Sequence, residues 1–307
     1  MTPDLSIVIV AWNVRDLLQA CLKSIMGSAA SLSQEIIVVD NASADGTPDM
    51  LRSSFRNVLL IEPGRNTGFS GGNNLGLAAS QGRYILLLNP DTIVLDSAVA
   101  DLAHYLDTHP SVGVVGPQLL NDNGSVQSSR RRFPTFWTAI FESTWLQQVA
   151  PKRILNRYYM LDCPDDENCE VDWLQGSALM VRREVFEQVG GFDEGYFMYS
   201  EELDWQRRIK TAGWDIVYNP AARIIHYGGK SSTQVEALKH IYFQTSKIRY
   251  FRIYHGEAPA RVLRLYLLGH YGLQFLLEAG KWGIGHKRQL RRQRLRAYWQ
   301  VLLSRLR

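Results

Sequence analysis

Cysteine is scarce: Cys21, Cys163 and Cys169 are the only three in 307 residues. Three thiols cannot all pair within one chain, and their spacing fits no zinc pattern. That excludes a disulfide-stapled scaffold and points to a reducing compartment. Long apolar runs are missing too. The most apolar stretch, Leu265–Leu277, is interrupted by His270 and Gln274 and bounded by Arg264 and Glu278. It is too short for a spanning helix, which needs about 20 residues. No basic-then-apolar leader precedes the β-rich run that starts at Leu5, so a cytoplasmic chain is expected.

Acidic charge is absent from the C-terminal end. Every charged residue after Glu278 is basic: Lys281, Lys287, Arg288, Arg291, Arg292, Arg294, Arg296, Arg305 and Arg307. These nine exceed the whole-chain net charge of +4, which leaves residues 1–280 at −5. Basicity is therefore a property of the tail, and it suits an anionic partner more than a basic site. Two phosphate-binding signatures are also lacking. No G-x-G-x-x-G follows the first strand-like run, and no Gly-rich turn ends in Lys-Ser/Thr, which argues against a dinucleotide site and a P-loop.

What is present is a chain 46% hydrophobic, enough to bury a full core. Its first 116 residues alternate β-rich and helical stretches, the signature of a parallel sheet wound on both faces. Strands are expected at Leu5–Ala11, Glu35–Asp40, Val58–Glu62, Tyr84–Asn89 and Val112–Gly116. Helices are expected at Arg15–Met26, Pro48–Phe55, Ser70–Ser80 and Ser97–His109. Residues 117–172 lack periodicity and read as loops and short helices covering the sheet. Order returns at Val171–Arg182, with helices at Arg183–Val189 and Glu201–Ala212 and strands near Asp215–Tyr218 and Arg223–His226.

Ligands of open α/β sheets bind at the carboxyl ends of the parallel strands. Asn13, Asp40 and Asp91 fall there. Each alone reads as a cap or turn residue, but two carboxylates on neighbouring crevice walls suit a ligand or metal. The turn Arg65–Asn74 is Gly-rich and opens a helix, a place where backbone N–H groups meet an anion. Glu201, Glu202 and Asp204 crowd one helix start. Asp204 is explained by Arg208 four residues on, whereas Glu201 or Glu202 could act as a general base. His226, at a strand end before Gly228, could ligate a metal through a neutral imidazole.

These residues, in this order, resemble family 2 glycosyltransferases of the GT-A fold, in the branch that includes bacterial rhamnosyltransferases. The likeness is carried by Ile9–Asn13, Val38–Ser43, Asn66–Asn74, Leu88–Thr92, Gly176-Ser177-Ala178, Gly191–Glu194, Glu201–Asp204 and His226-x-Gly228. It implies a doubly wound, mainly parallel α/β sheet and transfer of a sugar, with inversion, from a dTDP- or UDP-sugar to a saccharide or lipid-linked hydroxyl. The implied nucleotide-binding residues are Ala11, Asn13, Asp40, Asn66, Gly68, Asn73 and Asn89. Asp91 and His226 would hold Mg²⁺ or Mn²⁺, Asn89 standing where the family's metal element has its first Asp. Glu202 aligns with the catalytic base, adjacent to Glu201. Trp173, Gly176 and Ser177 would line the acceptor side. Two rivals are weaker. A sugar-phosphate nucleotidyltransferase would carry a Gly-rich turn with Arg after strand one, where Ala11–Arg15 stands, and a non-catalytic module would have shed these acids.

Domains are expected at 1–232, catalytic, and 233–307, a basic helical extension. Within the latter, Leu295, Tyr298, Trp299, Leu302 and Leu306 fall within about 100° of a helical wheel flanked by arginines. That stripe suits an interfacial helix on anionic lipid, placing the chain peripherally on the inner membrane face. A helix docked on the domain or on a homodimer partner has the same pattern. No nucleic-acid partner is expected.

Overall fold

A computed structural model describes residues 2–28, 32–142, 144–228 and 236–307. From the N-terminus run β1 (Leu5–Ala11), α1 (Arg15–Ser28), β2 (Gln34–Asp40), α2 (Thr47–Ser54), β3 (Val58–Ile61), α3 (Gly68–Ala79) and β4 (Tyr84–Leu88). Next come β5 (Thr92–Val94), α4 (Ala98–Thr108), β6 (Val112–Leu120), β7 (Val126–Gln127), β8 (Arg130–Arg131), α5 (Phe136–Phe141) and α6 (Lys152–Tyr158). β9 (Cys169–Glu170), β10 (Trp173–Leu174), β11 (Ala178–Arg182), α7 (Arg183–Val189), α8 (Glu201–Thr211) and β12 (Asp215–His226) follow. Three helices close the chain: α9 (Glu236–His255), α10 (Glu257–Gly283) and α11 (Arg288–Ser304).

The main sheet has the order β3-β2-β1-β4-β11-β6-β12-β5, and along it β11 and β5 run against the rest. β1 shows why the first strands read as continuous apolar runs. Leu5, Ile7 and Ile9 pack toward α1 and α4, whereas Val8 points to the other face, where Leu77 of α3 and Trp205 of α8 lie. A strand covered on both faces has little room for polar side chains, and the one in β1, Ser6, is hydrogen-bonded, accepting from Gly82 N–H at 2.6 Å. The two strands expected around residues 215–226 are one, with a register irregularity between Asn219 and Arg223. Pro220 accounts for the break, since it offers no N–H to the ladder. β5 and the antiparallel insertion of β11 escaped the sequence reading.

The chain divides into two compact units. One comprises residues 1–133, 159–197 and 201–231, and the other 134–158, 198–200 and 232–307. The expected boundary at 232/233 lies outside the described residues. Residues 134–158, expected to cover the sheet, group instead with the C-terminal helices. Tyr266 Oη donates to Ile140 O at 3.1 Å, Lys247 Nζ meets Glu142 Oε2 at 2.9 Å, and Phe136 packs edge-on against Phe251.

One further expectation needs correction. Cys163 and Cys169 are joined as a disulfide, with Cα atoms 6.6 Å apart, rather than standing as reduced thiols. β9 pairs antiparallel with β12, Cys169 opposite Tyr218, which turns this short loop back on itself. Cys21 is free and buried. In the expected stripe of the last helix, Leu295, Tyr298 and Leu302 are half-buried, Tyr298 packing against His240 and Tyr271; Leu306, just past α11, is buried and Trp299 is exposed.

Candidate active site

The site is built where β1, β2 and β4 end. Parallel pairing places Ala11 opposite Asp40, and the loops beyond them are stapled together. Asn13 N–H donates to Ser43 Oγ at 2.9 Å, while Asn13 Oδ1 accepts from Ala44 N–H at 2.8 Å. Asn13 holds φ 52° and Ala42 φ 60°. Asparagine tolerates that left-handed region, but alanine does so at a cost the surrounding bonds must offset. Asp40 is buried. Its Oδ2 accepts from Ser43 N–H at 2.9 Å, and its Oδ1 meets no partner among the described residues. A buried carboxylate oxygen left open is costly unless a ligand donor completes it.

The Gly-rich turn has a different job from the expected one. Thr67 N–H donates to Asn41 Oδ1, Gly68 N–H to Asn66 Oδ1 and Phe69 N–H to Phe197 O, at 3.3, 2.9 and 2.8 Å. Those three donors are thus already engaged, one within the turn and two by Asn41 and Phe197. Gly68 sits at φ +77°, and a Cβ there would lie 2.3 Å from Phe197 O, so no other residue fits. Asn73 donates through Nδ2 to Phe69 O at 2.9 Å, within the helix. The turn shapes a wall of the crevice.

Asp91 and His226 lie far apart in sequence and meet through the antiparallel pairing of β5 with β12. Thr92 stands opposite His226, and Tyr227 N–H donates to Asp91 O at 3.0 Å. Both side chains are buried, with His226 Nε2 at 3.4 Å from Asp91 Oδ1 and 3.5 Å from Asn89 Nδ2. On the far edge of the ring, Nδ1 is 2.7 Å from Gln127 Oε1 and 3.3 Å from Ser177 Oγ. Gln127 Nε2 donates to Asn121 Oδ1 at 3.0 Å, so Oε1 is the end left to accept from the imidazole. Nδ1 therefore carries a proton. Nε2, beside the Asp91 carboxylate, is the ring nitrogen placed to offer a lone pair to a cation. An outer hydrogen bond of this kind is what orients a metal-binding histidine. No group of three or more His, Cys, Asp or Glu is gathered among the described residues. The pair is thus no closed cage, but it suits a Mg²⁺ or Mn²⁺ whose shell is completed by phosphate oxygens and water.

The third element is the start of α8. Tyr199 and Ser200 precede it with φ 72° and 65°, two successive left-handed non-glycine residues. Such backbone persists where surrounding structure enforces it, and it often marks function. Glu201 is buried and Glu202 half-buried, and Oε2 of each meets no hydrogen-bond partner among the described residues. Burial first, and then the charge of Glu202, hold the Glu201 carboxyl well above the usual range. Burial also raises Glu202, but its own N–H and those of Gly176 and Leu203, with the Arg131 charge, oppose the rise. Both carboxyls are raised, Glu201 the more strongly, so Glu202 is the one the fold leaves readier to ionise. Gly176 lies close against this side chain, and a Cβ there would sit 3.2 Å from Glu202 Cβ and push it by a few tenths of an ångström. Ser177 then ties this end to the other through His226 and through its carbonyl, which accepts from Asn89 N–H at 2.9 Å.

An open acceptor on Asp40 and a buried carboxylate–imidazole pair stand at strand ends, and two carboxyls stand at the start of α8. The glycosyl transferase family 2 model matches residues 6–190. The chain belongs to glycosyl transferase family 2. This family 2 enzyme is 32% identical, over 76% of its own length and 78% of the relative's, to an N-acetylglucosaminyl-diphospho-decaprenol L-rhamnosyltransferase of Mycobacterium tuberculosis. It is 30% identical, over 52% of its length and 61% of the relative's, to rhamnosyltransferase WbbL of Escherichia coli K12. It is therefore a glycosyltransferase of the rhamnosyltransferase-like branch. Its fold matches a mannosyltransferase from Pyrobaculum calidifontis solved with GDP-Man and Mn²⁺, with TM-score 0.56 and 16% identity over 100% of this chain and 85% of that one.

Sequence reasoning had no means of finding Gln127 and Asn41 in this family 2 enzyme. Gln127 sets the His226 ring from 99 positions away, and Asn41 bonds both Gly68 O and Thr67 Oγ1. Trp173, expected at the acceptor side, is buried, and its indole donates to Arg132 O at 3.1 Å. Asp204 pairs with Arg208 at 3.0 Å, as the i,i+4 spacing predicts.

Proposed function

We propose that this glycosyltransferase moves a sugar, rhamnose by likeness to its relatives, from a dTDP- or UDP-sugar to a hydroxyl of a lipid-linked saccharide, by direct displacement with inversion. The observation that carries the reading is the carboxylate pair at the start of α8, Glu201 buried and Glu202 half-buried, each with one oxygen left open. A single base with no covalent partner removes the hydroxyl proton as the new glycosidic C–O bond forms. The old C–O bond to phosphate breaks, its electron pair leaves with the diphosphate, and the proton rests on Glu202. Asp40 Oδ1 accepts from the base of the nucleotide, on a floor made by Ala11 and Asn13. Asp91 and His226, with Asn89 beside them, would hold Mg²⁺ or Mn²⁺. A bound cation there supplies Lewis-acid stabilisation of the leaving diphosphate. Gly176 and Ser177, with the edge of Trp173, bound the acceptor side. The lipid-linked acceptor and a peripheral membrane location are supported by the Mycobacterium tuberculosis relative, whose name specifies a diphospho-decaprenol substrate.

Asp91→Asn tests the reading directly. Transfer from dTDP-rhamnose should fall by orders of magnitude, and calorimetry should lose the part of nucleoside diphosphate binding that depends on Mn²⁺. EDTA should act likewise on the parent. Undiminished transfer in EDTA would remove the cation from the mechanism.

A further inference from the structure

We infer that the outer face of α10, together with the turn that joins it to α11, lies in the interfacial zone of an anionic lipid bilayer. On the inward side of α10, Ala260, Leu263, Leu267, Tyr271 and Glu278 are buried. On the opposite side, Val262, Leu265, Leu273, Leu276 and Ile284 are exposed, Leu265 by 70%, Leu276 by 68% and Ile284 by 83%. At 100° per residue these five fall within about 100° of arc, and Gly269 and Gly280 occupy the gaps. Arg264, Glu278 and Lys281 all project elsewhere on the wheel, so the stripe carries no charge for about 30 Å of helix. A helix face meant for water carries polar residues on such an arc.

Charge decides what covers it. Lys281, Trp282, Ile284, Lys287, Arg288 and Leu290 are exposed together in and around the turn. No acidic residue occurs after Glu278, and Glu278 is already matched to Arg291 at 2.7 Å. A second copy laid on this face would bring two such basic turns together and repel. Lipid headgroups of negative charge neutralise them, while leucine and isoleucine side chains enter the acyl boundary, tryptophan sits at the interface and lysine stems reach outward. No described helix is long and apolar enough to cross a membrane, and the stripe has the form of a helix lying in the plane. This places the lipid contact on α10 rather than on α11.

The inference gives the proposed lipid-linked acceptor its route to the enzyme and rests on that reading only for its purpose. Binding is measured with neither donor nor acceptor present, so the two ideas fail separately. Full-length protein is sedimented with vesicles of phosphatidylcholine alone or mixed with phosphatidylglycerol. It should partition onto the mixed vesicles, much less onto neutral ones, and less in high salt. Leu276→Glu combined with Ile284→Glu should lower that partition about tenfold or more and leave thermal melting unchanged, because both side chains are in solvent. Binding equal to the parent's, or indifferent to lipid charge, overturns the inference. So does a lipid-free dimer, seen by analytical ultracentrifugation, that the same double variant dissolves.

Discussion

Carboxylates removed from solvent on the helices of the two units are treated in opposite ways. In the helical unit Glu278 meets Arg291 through two bonds of 2.9 and 2.7 Å, with Lys281 and Arg294 each at 3.7 Å. Burial alone would raise its pKa, but the Arg291 hydrogen bonds and the surrounding cations hold the carboxyl below the usual range. In the sheet unit, Glu201 and Glu202 are pushed upward by burial, and each leaves one oxygen without a partner. A carboxylate that holds helices together is neutralised on every side. The pair proposed to supply the base is left incomplete, and the surrounding fold bears that cost.

The comparison is broken most sharply at Glu202. Glu202→Gln should retain donor binding while single-turnover transfer falls roughly 10²–10⁴-fold, the loss expected of a general base. In the parent, the acid limb of the transfer rate should lie above the ordinary glutamate value of about 4.3, because the base must ionise from a raised pKa. Should Glu201→Gln abolish transfer and Glu202→Gln spare it, the two residues exchange roles.

Glu278→Gln should reduce stability by about 3 kcal/mol, since it leaves Arg291 charged and buried with its partner lost. Urea denaturation followed by circular dichroism reads this. The sign with pH follows from the lowered pKa: the pair's contribution is present above the usual carboxylate range and disappears as pH falls through the native value. An unaltered midpoint would reduce the pair to a surface contact.

Glu201→Gln should have the smallest effect on transfer, within a few-fold, and should stabilise the fold at neutral pH. With its pKa raised in the native state, Glu201 holds a proton that the unfolded chain releases. Stability is therefore complete below about pH 4.3 and declines as pH rises through the native value. Differential scanning fluorimetry across pH should show that decline in the parent and a flatter course in the variant. Parallel curves would mean that Glu201 is not the neutral partner.

Much of the sheet was legible because its strands are buried on both faces. Ser6–Val10 and Ile36–Val39 are almost entirely apolar, and only a doubly covered strand reads that way. Asp40 and Asp91 were legible for the converse reason, being polar residues where an apolar run stops. β5, three residues long, and β11, whose antiparallel place between β4 and β6 depends on partners distant in sequence, leave no local trace. The amphipathic stripe of α11 was legible as a stripe. That Tyr298 and Leu306 face protein, while Leu265 and Leu276 of α10 face outward, depends on how three helices pack.

The order of residues by itself determined the strand-end positions of Asn13, Asp40 and Asp91, the acids at the start of α8 and the one-signed charge after Glu278. Each follows from periodicity or from local composition, which the chain carries wherever it folds. Only the tertiary structure decided that β12 delivers His226 to Asp91, that Gln127 meets the far edge of the imidazole, and that Gly176 N–H and the Arg131 charge act on Glu202. These are properties of pairs far apart in sequence, and their energies exist only once low-dielectric packing has brought the groups within a few ångströms.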